Sequence, residues 1–361
     1  MHDATQLTRE GKLQAATDAI QRALRGQPAD GADPHAPIPS PSFADGLVID
    51  VPARVISDAP AAERQRRAGD ASAVPPPAED GQAAQWTSHS FSRQGRTLPY
   101  RLYVPPQPAG TARPQRPLLL MLHGCTQDPD DFAAGTRMNQ LAHAEGAVVI
   151  YPAQTRHANA QGCWNWFKPQ HQQRGRGEPA LLAALTQSVM ASQDIDPARV
   201  YVAGLSAGGA MADILGHAYP DLFAAVGVHS GLAAGSATDL MSALAAMRSG
   251  APGAAADGAR RPPVIVFHGS ADATVHPRNG QAVAGAAHGP AIDGTSAGGQ
   301  SFTRTTHPGS DTQRATEHWL LHGAGHAWAG GSAQGSYTDP RGPDASAEML
   351  RFFLAHPMRK A

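Results

Sequence analysis

Cysteine is nearly absent from this chain. Cys125 and Cys163 are the two in 361 residues, which excludes a multi-bridge disulfide framework and a four-cysteine zinc site and leaves room for one bridge. A surplus of either charge is also missing, since 29 Lys and Arg stand against 30 Asp and Glu. Proteins that grip a phosphate backbone or an anionic membrane carry a basic excess, so nucleic acid is excluded as a partner. No run of about 18 apolar residues occurs, so no integral membrane span is expected. The opening MHDATQLTREGKLQ has none of the apolar core, roughly 7–15 residues long, that marks a secretory signal peptide, and the expected location is the cytoplasm.

Glycine and proline are plentiful instead, at 38 and 31 residues, and they are unevenly spread. Over 1–26, Leu13, Ala16, Ile20, Ala23 and Leu24 recur at helical spacing with charges between them. This predicts an amphipathic helix ended by Gly26 and Pro28. Residues 27–85 are rich in Pro, Ala, Gly and Asp with little apolar periodicity. Such a stretch cannot bury enough surface to offset the entropy of ordering, and it reads as a linker.

The texture changes at Trp86, and 86–361 reads as the folded domain. Alternating runs either side of Gln94 and Gly95 predict a hairpin or two successive edge strands. Continuous apolar runs at 118–122, 147–151, 200–203, 224–228, 264–267 and 319–321 fit strands buried on both faces. Helical patterns at 131–145, 178–193, 207–218 and 344–354 lie between or after them. Strands alternating with helices imply the α/β class with a mostly parallel, doubly wound sheet.

The sharpest local feature is G-x-S-x-G at 204–208, preceded by the apolar run and followed by helix formers. A strand, a tight turn and a helix are what a nucleophile elbow requires, with Ser206 at its apex. The same pattern also suits a glycine-rich turn with an idle serine, so its neighbours decide. An acid and a histidine follow in the order that fold needs. VIVFHGSAD (264–272) is a buried strand running into a loop that presents Asp272, and WLLHGAGH (319–326) is a strand ending in a glycine-bracketed His326.

A neutral serine hydroxyl is a weak nucleophile, so His326 must take its proton while Asp272 orients the imidazole. The oxyanion needs donors already in place. Ala207 N–H supplies one, and the loop 122–127 supplies the other from Cys125 or Thr126. Trp164 and Trp166, in GCWNWF, suit either the core or the wall of an acyl pocket, and with His123 they are the candidate substrate contacts. His322 and His326 are four apart, but Gly323 and Gly325 argue against the helix that a zinc pair at that spacing needs. His268 and His318 read as core or loop histidines, and Asp311 is the alternative acid if Asp272 is only a turn former. This chemistry needs no metal and no cofactor.

LHGCTQ (122–127), GCWNWF (162–167), GLSAGG (204–209), FHGSAD (267–272), HGAGHAWAGG (322–331) and the closing DPRGPDASAEMLRFFL resemble the polyhydroxybutyrate depolymerase family of esterases within the α/β-hydrolases. The resemblance covers about residues 90–356. It implies a serine esterase with Ser206, Asp272 and His326 as triad, cleaving short-chain esters such as poly(3-hydroxybutyrate) or its oligomers. Feruloyl and acetyl esterases, or a general carboxylesterase, are the alternative substrate reading. A non-catalytic binding module and an acyl transferase are alternatives of other classes. The resemblance also suggests a Cys125–Cys163 bridge and a secreted protein, whereas the missing leader favours reduced thiols. The helix over 1–26 is expected to dock, to self-associate or to hold a polymer granule.

Overall fold

A computed structural model of the chain describes residues 83–106, 115–253, 261–285, 289–310 and 313–358, all within the second of two compact units, Pro75–Ala361. The predicted helix over 1–26, nearly all of the 27–85 linker and Asp311 lie outside the described residues. Strands β1 (Gln85–Arg93) and β2 (Arg96–Val104) pair antiparallel about Gln94 and Gly95. Both turn residues have positive φ, 50° and 73°, as a two-residue turn matched to strand twist demands.

Five largely apolar strands follow: β3 (Arg116–Leu122), β4 (Val148–Pro152), β5 (Ile195–Leu205), β6 (Ala225–His229) and β7 (Val264–Gly269). Strands β8 (Ala291–Thr295), β9 (Ser301–His307) and β10 (Thr316–Leu321) complete the sheet. Its order is β1-β2-β4-β3-β5-β6-β7-β10-β9-β8. The six strands from β4 to β10 are parallel, and antiparallel pairs close each edge. This is the mostly parallel architecture expected of an α/β-hydrolase fold. Strands β11 (Trp328–Ala329) and β12 (Thr338–Asp339) form a separate small sheet.

The uninterrupted apolar runs are explained by burial on both faces. In β3, Leu118, Leu120 and Leu122 join one core while Leu119 and Met121 join the other, following the period-two alternation of strand side chains. Helices α1 (Pro129–Thr136), α2 (Met138–Ala144), α3 (Gly177–Ser192), α4 (Ala207–Ala218), α5 (Leu240–Ser249), α6 (Arg278–Ala284) and α7 (Ala345–Ala355) accompany the sheet. The single helix expected at 131–145 is two, because Arg137 turns left-handed at φ 53°. Its guanidinium reaches Gly330 O at 2.8 Å and Asp344 Oδ2 at 3.0 Å, tertiary bonds that a continuous helix would forgo. The segment 280–300 supplies most of α6 and all of β8, an edge strand of the sheet.

Candidate active site

In a parallel sheet the loops leaving the carboxyl ends of the strands converge on one edge, and the motif residues lie there. Ser206 follows β5, Asp272 follows β7, and His326 follows β10. Strand β6 separates β5 from β7, and β10 is the next strand beyond β7.

Ser206 sits at φ 57°, ψ −118°, a strained conformation for a residue with a Cβ. Two bonds hold it there: Ser206 N–H donates to His229 O, and Ser206 O accepts from Ala210 N–H, both at 2.9 Å. The elbow also needs α4 to approach β3 closely. A Cβ on Gly208 would lie 2.1 Å from Leu122 O, so only glycine fits.

Asp272 is fixed through both carboxylate oxygens. Oδ1 accepts from Thr274 N–H at 2.9 Å and Val275 N–H at 2.8 Å, and His326 Nδ1 donates to Oδ2 at 2.7 Å. Burial opposes ionisation of Asp272, but the bonds to His268 and His326 outweigh it and hold the carboxyl well below the usual range. With Nδ1 carrying the proton, His326 Nε2 is left as the base. The acid and histidine loops are stitched together by Ser270 N–H to Leu321 O (2.8 Å) and Ala271 N–H to Ala324 O (3.0 Å). That closeness requires Gly269, whose added Cβ would lie 2.3 Å from Ala324 O. Ser206 Oγ makes no hydrogen bond among the described residues. Catalytic contacts of this kind commonly tighten only when substrate arrives.

The N–H groups of the loop 122–127 differ in what they bond. Gly124 N–H donates to Gln127 Oε1 at 2.9 Å and Thr126 N–H donates to Gln161 O at 2.8 Å. Among the described residues Cys125 N–H has no such partner, nor does Ala207 N–H. Thr126 N–H is thus engaged, and the N–H groups of Ala207 and Cys125 are the two left without a partner among the described residues. A disulfide joins Cys125 to Cys163, against the expectation of reduced thiols, and ties the oxyanion loop to the tryptophan loop.

The expected substrate contacts, His123, Trp164 and Trp166, are all buried. His123 is 1% exposed, and both ring nitrogens are occupied: Nδ1 donates to Gly124 O at 2.7 Å and Nε2 accepts from Gln154 N–H at 3.1 Å. Burial lowers its pKa, in keeping with a neutral ring. Trp164 has no exposed surface and donates from Nε1 to His123 O at 3.1 Å. Trp166 is buried in the same core. His123 and Trp164 brace the loop 122–127 from behind, and Trp164 also lines a cavity together with Leu98, Gln154 and Leu181. Indole rings need a large apolar contact, and here the core supplies it.

Two residues without an assigned role in the sequence also matter. Gln127, besides holding Gly124, donates from Nε2 to Asp131 Oδ2 at 2.9 Å and Ser336 O at 3.1 Å. His229, with no exposed surface, carries the carbonyl that holds Ser206, and its Nε2 accepts from Ala329 N–H at 3.0 Å. Gln127 lies inside the 122–127 motif and so had a signal, but His229 follows an apolar run with none. His268 is buried, with Nε2 donating to Val275 O at 2.8 Å. His322 bonds Thr303 Oγ1 at 2.8 Å. No helix of the described residues is long and apolar enough to cross a membrane.

A family model described as Esterase PHB depolymerase matches residues 98–297, which takes in Ser206 and Asp272 and ends before His326. Poly(3-hydroxyalkanoate) depolymerase C of Paucimonas lemoignei is 37% identical over 175 residues, 45% of this chain and 42% of that protein. Feruloyl esterase B of Neurospora crassa is 30% identical over 182 residues, 45% of this chain and 60% of that protein. The matches thus span less than two thirds of these relatives. The solved acetyl xylan esterase from Aspergillus awamori superposes with a TM-score of 0.55 at 20% identity, covering 68% of this chain and 94% of that one, a likeness of fold.

Proposed function

The chain belongs to the Esterase PHB depolymerase family, and from that premise we propose that it hydrolyses carboxylic esters through an acyl-enzyme on Ser206. The observation that carries the reading is the 2.7 Å bond from His326 Nδ1 to Asp272 Oδ2, which fixes the imidazole with Nε2 free to accept a proton. As Ser206 Oγ attacks the ester carbonyl, its proton passes to His326 Nε2. The tetrahedral oxyanion is received by the N–H groups of Ala207 and Cys125. Collapse breaks the ester C–O bond, and His326 returns its proton to the leaving alkoxide. Water then attacks the acyl-enzyme, giving its proton to His326, and the carboxylic acid departs as Ser206 recovers its hydrogen.

The substrate class we favour is a polyester of short hydroxyalkanoates, amorphous or oligomeric. Its support is the family match and the depolymerase of Paucimonas lemoignei among the relatives. A soluble feruloyl or acetyl ester is the second reading, favoured by the match to feruloyl esterase B. Acid release in a pH-stat from amorphous poly(3-hydroxybutyrate), a soluble butyrate ester and a feruloyl ester, with Ser206→Ala as blank, separates them. Polymer hydrolysis lost in the variant supports a depolymerase, and activity confined to soluble esters selects the second reading. Silence on all three, with no labelling of Ser206 by a fluorophosphonate, turns the reading to a binding module.

The Cys125–Cys163 bridge supports work in an oxidising compartment, where disulfides persist, over the cytoplasm. For residues 1–26 the reading is a docking, self-associating or granule-holding segment. Unchanged sedimentation with polymer granules after deletion of 1–85 removes the granule role.

A further inference from the structure

Tyr337 has φ 51°, in the left-handed region where a bulky side chain is strained and glycine is not. The flanking backbone holds it there. Ser336 N–H donates to Asp131 Oδ1 at 2.7 Å, and Ser336 O accepts from Gln127 Nε2 at 3.1 Å. On the other side Tyr337 O accepts from Trp328 N–H at 2.7 Å, and Thr338 pairs with Trp328 between β11 and β12. The side chain so fixed is nevertheless 47% exposed. Its hydroxyl lies 3.3 Å from Thr126 Oγ1.

These facts conflict with a purely structural role. An aromatic side chain half in solvent contributes little burial, and the conformation it must adopt would suit glycine better. Strain that the surroundings over-determine is a feature of ligand clamps and active-site rims. The location agrees. Thr126 follows the oxyanion donor Cys125, and Trp328 is two residues beyond His326, so Tyr337 touches both loops that frame the nucleophile. Leu240, Met241 and Ile292 are also exposed, but among the described residues Tyr337 is the large exposed side chain bonded to the oxyanion loop.

We infer that Tyr337 is a specificity-determining residue, an aromatic platform at the mouth of the site on which the hydrocarbon chain of an ester substrate lies beyond the scissile bond. The inference rests on the ester-hydrolase reading and adds to it a preference for substrates long enough to reach the ring. A short acyl group ends before the platform, whereas a longer chain removes apolar surface from water against it.

The test compares kcat/KM on p-nitrophenyl acetate and p-nitrophenyl octanoate for the full chain and for Tyr337→Ala, Tyr337→Phe and Tyr337→Gly, with thermal melting of each. The Ala and Gly variants are expected to lower the octanoate-to-acetate ratio about tenfold, through KM, as lost apolar contact does. The Phe variant keeps the ratio within about twofold, because the ring remains. The Gly variant melts no lower than the parent, since φ 51° suits it. An unchanged ratio in Tyr337→Ala, an equal fall on both esters, or a Phe variant as impaired as Ala overturns the inference. Wild-type turnover of acetate tests the esterase reading separately, and no wild-type turnover of either ester overturns both.

Discussion

The ring of His229 accepts a hydrogen bond from the backbone N–H of Ala329 at 3.0 Å, which joins the strand beside the nucleophile to the segment just after His326. The carbonyl of the same residue accepts Ser206 N–H at 2.9 Å. One buried side chain and its backbone therefore link the elbow to the histidine loop, and the link requires an imidazole with a bare Nε2. Burial, and then repulsion from His268 and His326, lower the His229 pKa to about 3.

This neutrality has a sign that stability measurements can read. Between the ordinary value of 6.5 and about 3, the unfolded chain binds a proton at His229 and the folded chain does not. Stability therefore falls as pH drops through that window, by up to about 1.4 kcal/mol per pH unit for one such group. His318, lowered to about 4 by burial and then by His268, adds in the upper part of the range. His229→Gln offers an oxygen acceptor with no basic nitrogen. Urea titrations from pH 7 to 4.5 are expected to give it a shallower slope by close to one proton, and an equal slope would show that His229 titrates normally.

The sheet was legible because its central strands are buried on both faces. Runs such as that in β3 leave no polar face to confuse the period, and Ser206, Asp272 and His326 then fall in loops at the carboxyl edge of the sheet. What could not be read was set by bonds distant in sequence. The break at Arg137 depends on Gly330 and Asp344, and the choice of Cys125 over Thr126 depends on the carbonyl of Gln161. That Trp164 is at once fully buried in the core and part of a cavity wall could not be read, because composition does not say which side of a loop packs inward. Helices α5 and α6 were missed because they are short and rich in small residues. Tyr337 carries no motif at all, and its interest is visible only in its backbone angle.

Asp272→Asn should reduce kcat by about four orders of magnitude with the fold intact, because an amide that donates to His326 would favour the wrong tautomer. Asp272 stays ionised well below the usual carboxylate range. Any acid-side loss of kcat above that range therefore belongs to another group. Circular dichroism with kcat measured from pH 5 to 9 checks both points. A variant that kept a tenth of the activity would move the acid elsewhere.

The Cys125–Cys163 bridge closes a sequence separation of 38, and the chain-entropy account assigns such a loop up to about 4 kcal/mol. Cys125→Ser retains the backbone N–H assigned to the oxyanion hole, so it tests the tether and not the donor. Melting is expected to drop, and kcat to fall about tenfold as the donor loses its fixed position. Dithiothreitol on the parent protein should reproduce both changes. Lowered melting with unaltered kcat would show the bridge to be structural alone.

Glu178, 5% exposed, organises the tryptophan loop from beneath. Its Oε1 accepts from Gln154 Nε2 and Asn165 Nδ2, both at 2.6 Å, and Oε2 accepts from Asn165 N–H at 2.7 Å. His171 Nδ1 stands 3.3 Å from Oε2. Gln154 in turn holds Cys163 O at 3.1 Å and, through its own N–H, His123 Nε2, so the carboxylate acts on the oxyanion loop at two removes. Burial opposes ionisation of Glu178, but His171 and the two donors of Asn165 outweigh it and lower the pKa. A depressed carboxylate stabilises the fold above its unfolded value, and that contribution is lost as pH falls through the folded value. Glu178→Ala strands several buried donors and should cost about 3–5 kcal/mol, whereas Glu178→Gln keeps one acceptor and should cost less. Urea titrations at pH 7 and at pH 4 test the sign: the gap between parent and Glu178→Gln should narrow at the lower pH. A gap that widened would mean that Glu178 is protonated in the folded protein.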